Sequence, residues 1–259
     1  MTDDSTEHAH VPTGGSSDDL EERLLAHLET LSGQSGVADA ADARMVLARA
    51  RSVRDAFTRV LLSYQCAIDE VATKIAILRR DFEATYDYGP IEHVRTRLKS
   101  PDSLLDKALR QGTELTAPAV REEIRDIAGI RITCSFVSDV YWIAEMLSAQ
   151  PDLRLLTTKD YIADPKPNGY RSLHLILEVP VFLSDRTEHV PVELQIRAIA
   201  MDFWASTEHK LAYKYRTDMP PELAAELDDA ARVAAELDAR MGRLRDQVRP
   251  SPHGTVHVP

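Results

Sequence analysis

Three separate stretches of this chain alternate polar and apolar residues with a period of two, and each polar row consists of chemically capable groups. In "DIAGIRITCSFV", Ile130, Ile132, Cys134 and Phe136 oppose Arg131, Thr133 and Ser135. In "KPNGYRSLHLILEVP", an Asn168-Gly169 turn leads into Leu173, Leu175, Leu177 and Val179, opposed by Tyr170, Ser172 and His174. In "HVPVELQIR", Val190, Val192, Leu194 and Ile196 oppose Glu193, Gln195 and Arg197. Successive strand residues point to opposite faces, so each stretch gives one face to a core and the other to something else. A plain solvated sheet face would be Thr, Lys and Glu. Three rows holding two arginines, an aromatic ring, an imidazole and a carboxylate describe the floor of a site for a polar, anionic ligand with a flat ring.

Helices surround these strands. Val53, Phe57, Val60, Tyr64, Ile68, Val71, Ile75, Leu78 and Phe82 recur every three or four residues, which predicts one long amphipathic helix from about Asp42 to Phe82. After Gly89-Pro90, "SPDSLLDKALRQG" reads as a helix with Ser100 as cap, Pro101 at its first position and Gly112 past its end. Further on come a helix near "DVYWIAEMLSAQ", a strand near "LRLLTTKDYI" and a helix over "AIAMDFWASTEHKLAYKY". Beyond Pro220-Pro221, Leu223, Leu227, Ala230, Ala234, Leu237, Met241, Leu244 and Val248 follow a heptad spacing, a stripe that must pack on the first helix or on another subunit. The expected fold class is α+β: a mixed sheet of four to five strands flanked by helices, with long N- and C-terminal helices. Residues 1–40 read as an acidic tail, 41–248 as one domain and 249–259 as a flexible end.

The formal charge of −11 argues against a general binder of nucleic acid or membranes, although seven carboxylates lie in the first 22 residues and their removal leaves about −4. No stretch approaches the ~18 apolar residues of a membrane span, and no basic, apolar leader opens the chain. Cys66 and Cys134 stand far apart in apolar sequence and read as two buried thiols. A cytoplasmic protein is expected.

The remaining polar residues point to phosphate chemistry. Arg97 and Lys99 precede a helix N-terminus and Lys107 lies two turns into that helix, a group that suits a polyphosphate, while a solvated basic face is the plainer reading. No P-loop, GxGxxG, CxxC or HExxH spacing occurs. Asp126 immediately precedes a strand and Glu193 lies inside one. Two carboxylates suffice for Mg²⁺ when substrate phosphates complete the coordination.

Taken together, "HVRTRLKSPDSLLDK", "DIAGIRITC", "KDYIADPKPNGYRSLH", "VELQIR" and "AMDFWASTEHKLAYKY" occur in the order of the synthetase domain of RelA/SpoT homologues, and between Tyr88 and Tyr215 the chain most resembles the small alarmone synthetases. The resemblance implies a nucleotidyltransferase-like synthetase domain with motif core 88–215 that transfers pyrophosphate from ATP to the 3′-hydroxyl of GDP or GTP and releases AMP. By motif, Asp126 would hold Mg²⁺. Glu193 would activate the hydroxyl and share the metal. Arg97 and Arg131 would sandwich adenine, and Lys99 and Lys107 would meet the ATP phosphates. Tyr170 would stack on guanine, with His174, Lys159, Lys166, Asn168, Arg171, Gln195 and Arg197 around the acceptor. A homotetramer is implied, with single-stranded RNA as a candidate regulator.

Other implications come from departures. None of the nine histidines is followed by Asp, so the hydrolase chemistry of the bifunctional relatives is not expected. Where some relatives carry a Phe-x-Thr-Gly stretch that binds activating pppGpp, this chain has His93-Val94-Arg95-Thr96, and weak or absent activation is expected. Two alternatives share the same residues: a catalytically silent nucleotide- or RNA-binding regulator, and a toxin-type relative acting on adenine nucleotides or tRNA.

Overall fold

The computed structural model describes residues 22–26, 30, 40–86, 88–214 and 219–248. Helix α1 (Ala40–Tyr86) leads into strand β1 (Ile91–Leu98), helices α2 (Pro101–Gln111) and α3 (Ala117–Glu123), strand β2 (Ala128–Cys134) and helix α4 (Val137–Ser148). Strands β3 (Arg154–Asp160), β4 (Leu173–Phe182) and β5 (Thr187–Ala198) follow, then helices α5 (Ile199–Lys214) and α6 (Pro221–Val248). The strands form one sheet in the order β1-β2-β5-β4-β3. Only β2 and β5 pair in parallel. The architecture is the α+β mixed sheet that the alternating segments predict.

The apolar face is covered by α1 and α4, which both cross β2, β4 and β5. The three-and-four spacing of α1 works as read: Phe57, Val60, Tyr64, Ile68, Val71, Ile75 and Phe82 are all buried, against Ile130, Ile132, Leu175, Leu177, Val192 and Leu194 from the strands. Each such side chain contributes roughly 1.5–3 kcal/mol when fully buried. The ends of α2 also follow the sequence. The Ser100 hydroxyl accepts from the Ser103 N–H at 3.3 Å, and Gly112 closes the helix at φ 70°.

One element went unread and two expectations need correction. "IEHVRTRL", to which the spacing assigned no element, is strand β1; a register shift between Ile91 and His93 interrupts its alternation. Strand β4 begins at Leu173, so Tyr170 and Ser172 belong to the preceding loop; likewise Phe136 is the N-cap of α4 and not a strand residue. The long C-terminal helix packs on α5 and α4 rather than along α1. It is fastened by polar contacts: Trp204 Nε1 donates to the Leu227 carbonyl at 2.9 Å, the buried Asp238 carboxylate accepts from the Ala200 and Met201 N–H groups at 3.1 Å each, and Arg245 donates to Ser138 Oγ at 2.6 Å. The Asp238 side chain of α6 thereby satisfies two free backbone N–H groups at the start of α5.

Within the segment read as an acidic tail, residues 22–26 are helical, Leu24 is fully buried, and Arg23 bonds Asp102 at 2.8 Å. The remainder of that segment below residue 22, and residues 249–259, lie outside the described residues.

Candidate active site

Strand pairing sets the polar rows in register. Across the sheet, Arg95, Arg131, Gln195, His174 and Lys159 are successive cross-strand partners, and on the neighbouring rung Arg97, Gly129 and Glu193 are aligned. Directly paired residues share a face. The face opposite the core therefore carries these groups together, and a glycine separates Arg97 from Glu193. A methyl group at Gly129 would meet only the Glu193 carbonyl oxygen, at 3.9 Å, so the space above it is open.

Asp126 lies at the foot of this face, just before β2. Lys99 Nζ donates to its Oδ2 at 2.8 Å and Lys107 Nζ to its Oδ1 at 2.6 Å. Partial burial opposes the charged form, but the two lysines outweigh it and hold this carboxyl below the usual aspartate range. Glu193 is buttressed differently. His174 Nδ1 lies 3.1 Å from Oε1, and Gln195 Nε2 donates to Oε2 at 3.2 Å. The histidine bond is the main reason that this carboxyl also sits below its ordinary value, against a desolvation cost and the repulsion of nearby Asp126. His174 Nε2 in turn lies 3.1 Å from the Tyr170 hydroxyl. A neutral imidazole with its proton on Nδ1 satisfies both contacts.

From Glu193 a chain of polar contacts runs the other way. Gln195 Oε1 accepts from Arg197 Nη2 at 2.8 Å, and Arg197 Nη1 donates to Asp202 Oδ1 at 3.2 Å. Arg131 stands 3.8 Å from the same Asp202 oxygen. Burial and the neighbouring Arg197 push the Arg131 guanidinium below its usual value. Three arginines, Arg95, Arg131 and Arg197, thus crowd one part of the face.

Tyr170 is only 8% exposed and packs with Met201, Trp204, Ala205 and Ala231. The Lys166 ammonium and the Arg197 guanidinium each lie 4.9 Å from its ring centroid. Its loop is built by residues that sequence reasoning placed around the acceptor: Asn168 Oδ1 accepts from the Tyr170 N–H at 3.3 Å, and Arg171 donates to the Ile162 carbonyl at 2.9 Å. Gly169 adopts φ 77°, and a Cβ there would come within 2.7 Å of Ala231 Cβ on α6. Asn168 and Arg171 shape the loop, whereas Lys159 and Lys166 are exposed at its margin.

The structure therefore gathers Asp126, Lys99 and Lys107 at one end, Glu193, His174, Gln195, Arg197 and Tyr170 at the other, and Arg97 and Arg131 on the face between β1 and β2. Sequence reasoning missed Asp202 and Gly129, and it placed Arg95 in the effector stretch rather than on this face. Arg95 alternates with Arg97, which was the available signal; Asp202 comes from a helix and left none. Among the described residues no three His, Cys, Asp or Glu side chains converge on one point. Asp126 and Glu193 remain a pair of hard oxygen donors close enough to repel, a set that fits a Mg²⁺ ion sharing its coordination with phosphates.

The same reading emerges from comparison with known proteins. A family model described as "Region found in RelA / SpoT proteins" matches residues 96–218. GTP pyrophosphokinase YwaC of Bacillus subtilis strain 168 is 46% identical over 198 residues, which span 76% of this chain and 94% of that protein. The crystal structure of small alarmone synthetase 2 from B. subtilis superposes with a TM-score of 0.66 at 47% identity, covering 72% of this chain and 97% of the other. Small alarmone synthetase 1 of the same organism, crystallised with its product pppGpp, gives a TM-score of 0.68 at 38% identity over 74% and 97%. A charged sheet face of this composition, on a chain alike along nearly the whole length of these relatives, belongs to a small alarmone synthetase of the RelA/SpoT family.

Proposed function

We propose that this GTP pyrophosphokinase moves the β,γ-diphosphate of ATP onto the 3′-hydroxyl of GDP or GTP, with Asp126 and Glu193 at the reacting centre. The observation that carries the reading is the division of labour between the two carboxylates. Asp126 is held by two lysines suited to triphosphate oxygens, and Glu193 is held by a histidine and an amide that leave it charged.

Asp126, with Glu193 sharing, would hold Mg²⁺, whose chemistry when bound is to neutralise phosphate charge. Arg97 and Arg131 flank the donor base, and Lys99 and Lys107 turn from Asp126 to the donor phosphates. Glu193 takes the proton from the 3′-hydroxyl as that oxygen attacks the β-phosphorus. The bond between the α-phosphorus-bound bridging oxygen and the β-phosphorus breaks, and AMP leaves with the electron pair. Alignment and cationic stabilisation of spreading charge supply most of the catalysis in such transfers.

On the acceptor side, Tyr170 serves guanine only when Lys166 swings off its ring. Lys166 sits on an exposed, flexible stem and Arg197 is buried, so the lysine is the one that moves, toward the acceptor phosphates with Lys159. His174 fixes the tyrosine and Glu193 at once. Gln195 and Arg197 form the floor beneath them. The protein works in the cytoplasm as a homotetramer, for which the uncovered apolar stripe of α6 provides surface.

The test is substrate discrimination. Arg131→Ala should raise the KM for ATP well above its effect on GDP, and Tyr170→Ala the reverse, since a base stacked on an aromatic contributes roughly 1–3 kcal/mol. The opposite ranking would mean that the two pockets are exchanged.

A further inference from the structure

Asp202 lies in the first turn of α5, outside every strand that forms the polar face, yet its carboxylate lies within ion-pair distance of two arginines of that face, the buried Arg197 and the partly exposed Arg131. It is 15% exposed, bonds Arg197 Nη1 at 3.2 Å and stands 3.8 Å from Arg131 Nε. The Nε atoms of Arg131 and of Arg197 are both buried without a hydrogen-bond partner. Two cations, one of them 5% exposed, thus share a single carboxylate. Arg95, paired with Arg131 across β1 and β2, adds a third positive charge, and no ion pair involves it among the described residues. Like charges placed directly opposite on a sheet destabilise it. Here the Asp202 carboxylate is an ion-pair partner common to Arg131 and Arg197, and its negative charge offsets their repulsion.

We infer that Asp202 is a positioning residue for the donor nucleotide: it anchors Arg197 and draws on Arg131 so that the Arg131 guanidinium presents its plane to the donor base. The inference rests on the assignment of Arg131 to that base made above. Asp202 touches neither substrate. Without its charge Arg131 and Arg197 repel, Arg131 swings toward solvent, and the donor loses half of its clamp. The acceptor side is less affected, because Arg197 keeps its bond to Gln195 and its place on the Tyr170 ring.

The experiment is steady-state kinetics with ATP and GDP varied separately, on wild type, Asp202→Asn, Arg131→Ala and the double variant. Asp202→Asn should raise the KM for ATP about tenfold and that for GDP less than about threefold. In the Arg131→Ala background it should add less than about twofold, because the two residues act as a unit. Asp202→Ser, neutral and compatible with a first helical turn, carries the same expectations if the Asn variant does not fold. Arg131→Ala raising the ATP KM while Asp202→Asn and Asp202→Ser leave it unchanged, raise both KM values equally, or add independently would overturn the inference alone. No effect of Arg131→Ala on ATP would overturn the donor assignment and the inference with it.

Discussion

Glu193 keeps its charge because both of its oxygens are engaged by partners that favour the ionised form, His174 on one side and Gln195 on the other. A carboxyl whose native pKa is depressed adds stability above its unfolded value and loses it as pH falls through the native one. Carbon-detected titration of labelled glutamate in the free protein should therefore find Glu193 titrating below the ordinary 4.5. In His174→Ala, where the largest stabilising contact is gone, the midpoint should move up; an unmoved midpoint would remove His174 from this role. Gly169 is the second residue whose identity is dictated. Gly169→Ala forces a left-handed conformation that costs roughly 1–2 kcal/mol on an L side chain, and adds the collision with Ala231. It should raise the KM for the guanine acceptor and lower the melting temperature, with Ala231→Gly relieving only the steric part. The turn itself was legible as Asn168-Gly169, whereas the contact with α6 was not, since nothing in the local sequence says which helix returns to cover a loop. Tyr170 shows the same limit. Period-two alternation put it on the strand, but the alternation continues by chance three residues beyond the hydrogen-bonded ladder, and the ring is enclosed by Trp204 and two cations.

At the scale of elements, strong periodicity was readable and interrupted periodicity was not. Helix α1 and strands β2 and β5 follow directly from spacing. Strand β1 escaped because its bulge moves the buried position from Ile91 to the phase of Val94 and Leu98. Without it, Arg95 was read only as part of the effector stretch, and part of the basic character of the face went unseen. The placement of α6 depends on tertiary contacts made by polar residues inside an apolar pattern: the residues that face the protein include Ala231 and Asp238, while most of the larger apolar residues face outward. Asp238→Ala strips the cap from two N–H groups of α5, a loss of about 0.5–2 kcal/mol for such caps. Thermal unfolding should record a drop of a few degrees. An unchanged melting temperature would mean that α6 is not anchored there.

At the scale of the whole molecule, one uncovered apolar surface among the described residues is the groove between α5 and α6. Phe203 is 75% exposed, and with Ile199, Val233 and Leu237 it borders an apolar groove of about 630 Å³. Met241, Leu244 and Val248 extend that stripe along α6. An uncovered stripe at heptad spacing suits a helix from another copy. Light scattering of the intact chain should report an assembly larger than a monomer, and Leu237→Glu should shift it to a smaller species; a monomeric wild type would leave the stripe without this role.

The proposed active site places ATP and a guanine acceptor on one sheet face, aligned through Asp126 and Glu193. Incubating the protein with Mg²⁺, GDP and ATP labelled in its terminal phosphates, and resolving the products for wild type, Asp126→Asn and Glu193→Gln, checks this alignment. Wild type should pass label to the guanine nucleotide with stoichiometric AMP, and each variant should lose well over tenfold in rate, more than ~1.4 kcal/mol of transition-state stabilisation, with an unchanged circular dichroism spectrum. Label appearing on tRNA or an adenine nucleotide, or a Glu193→Gln protein that keeps more than about a tenth of the wild-type rate, would rule out this alignment.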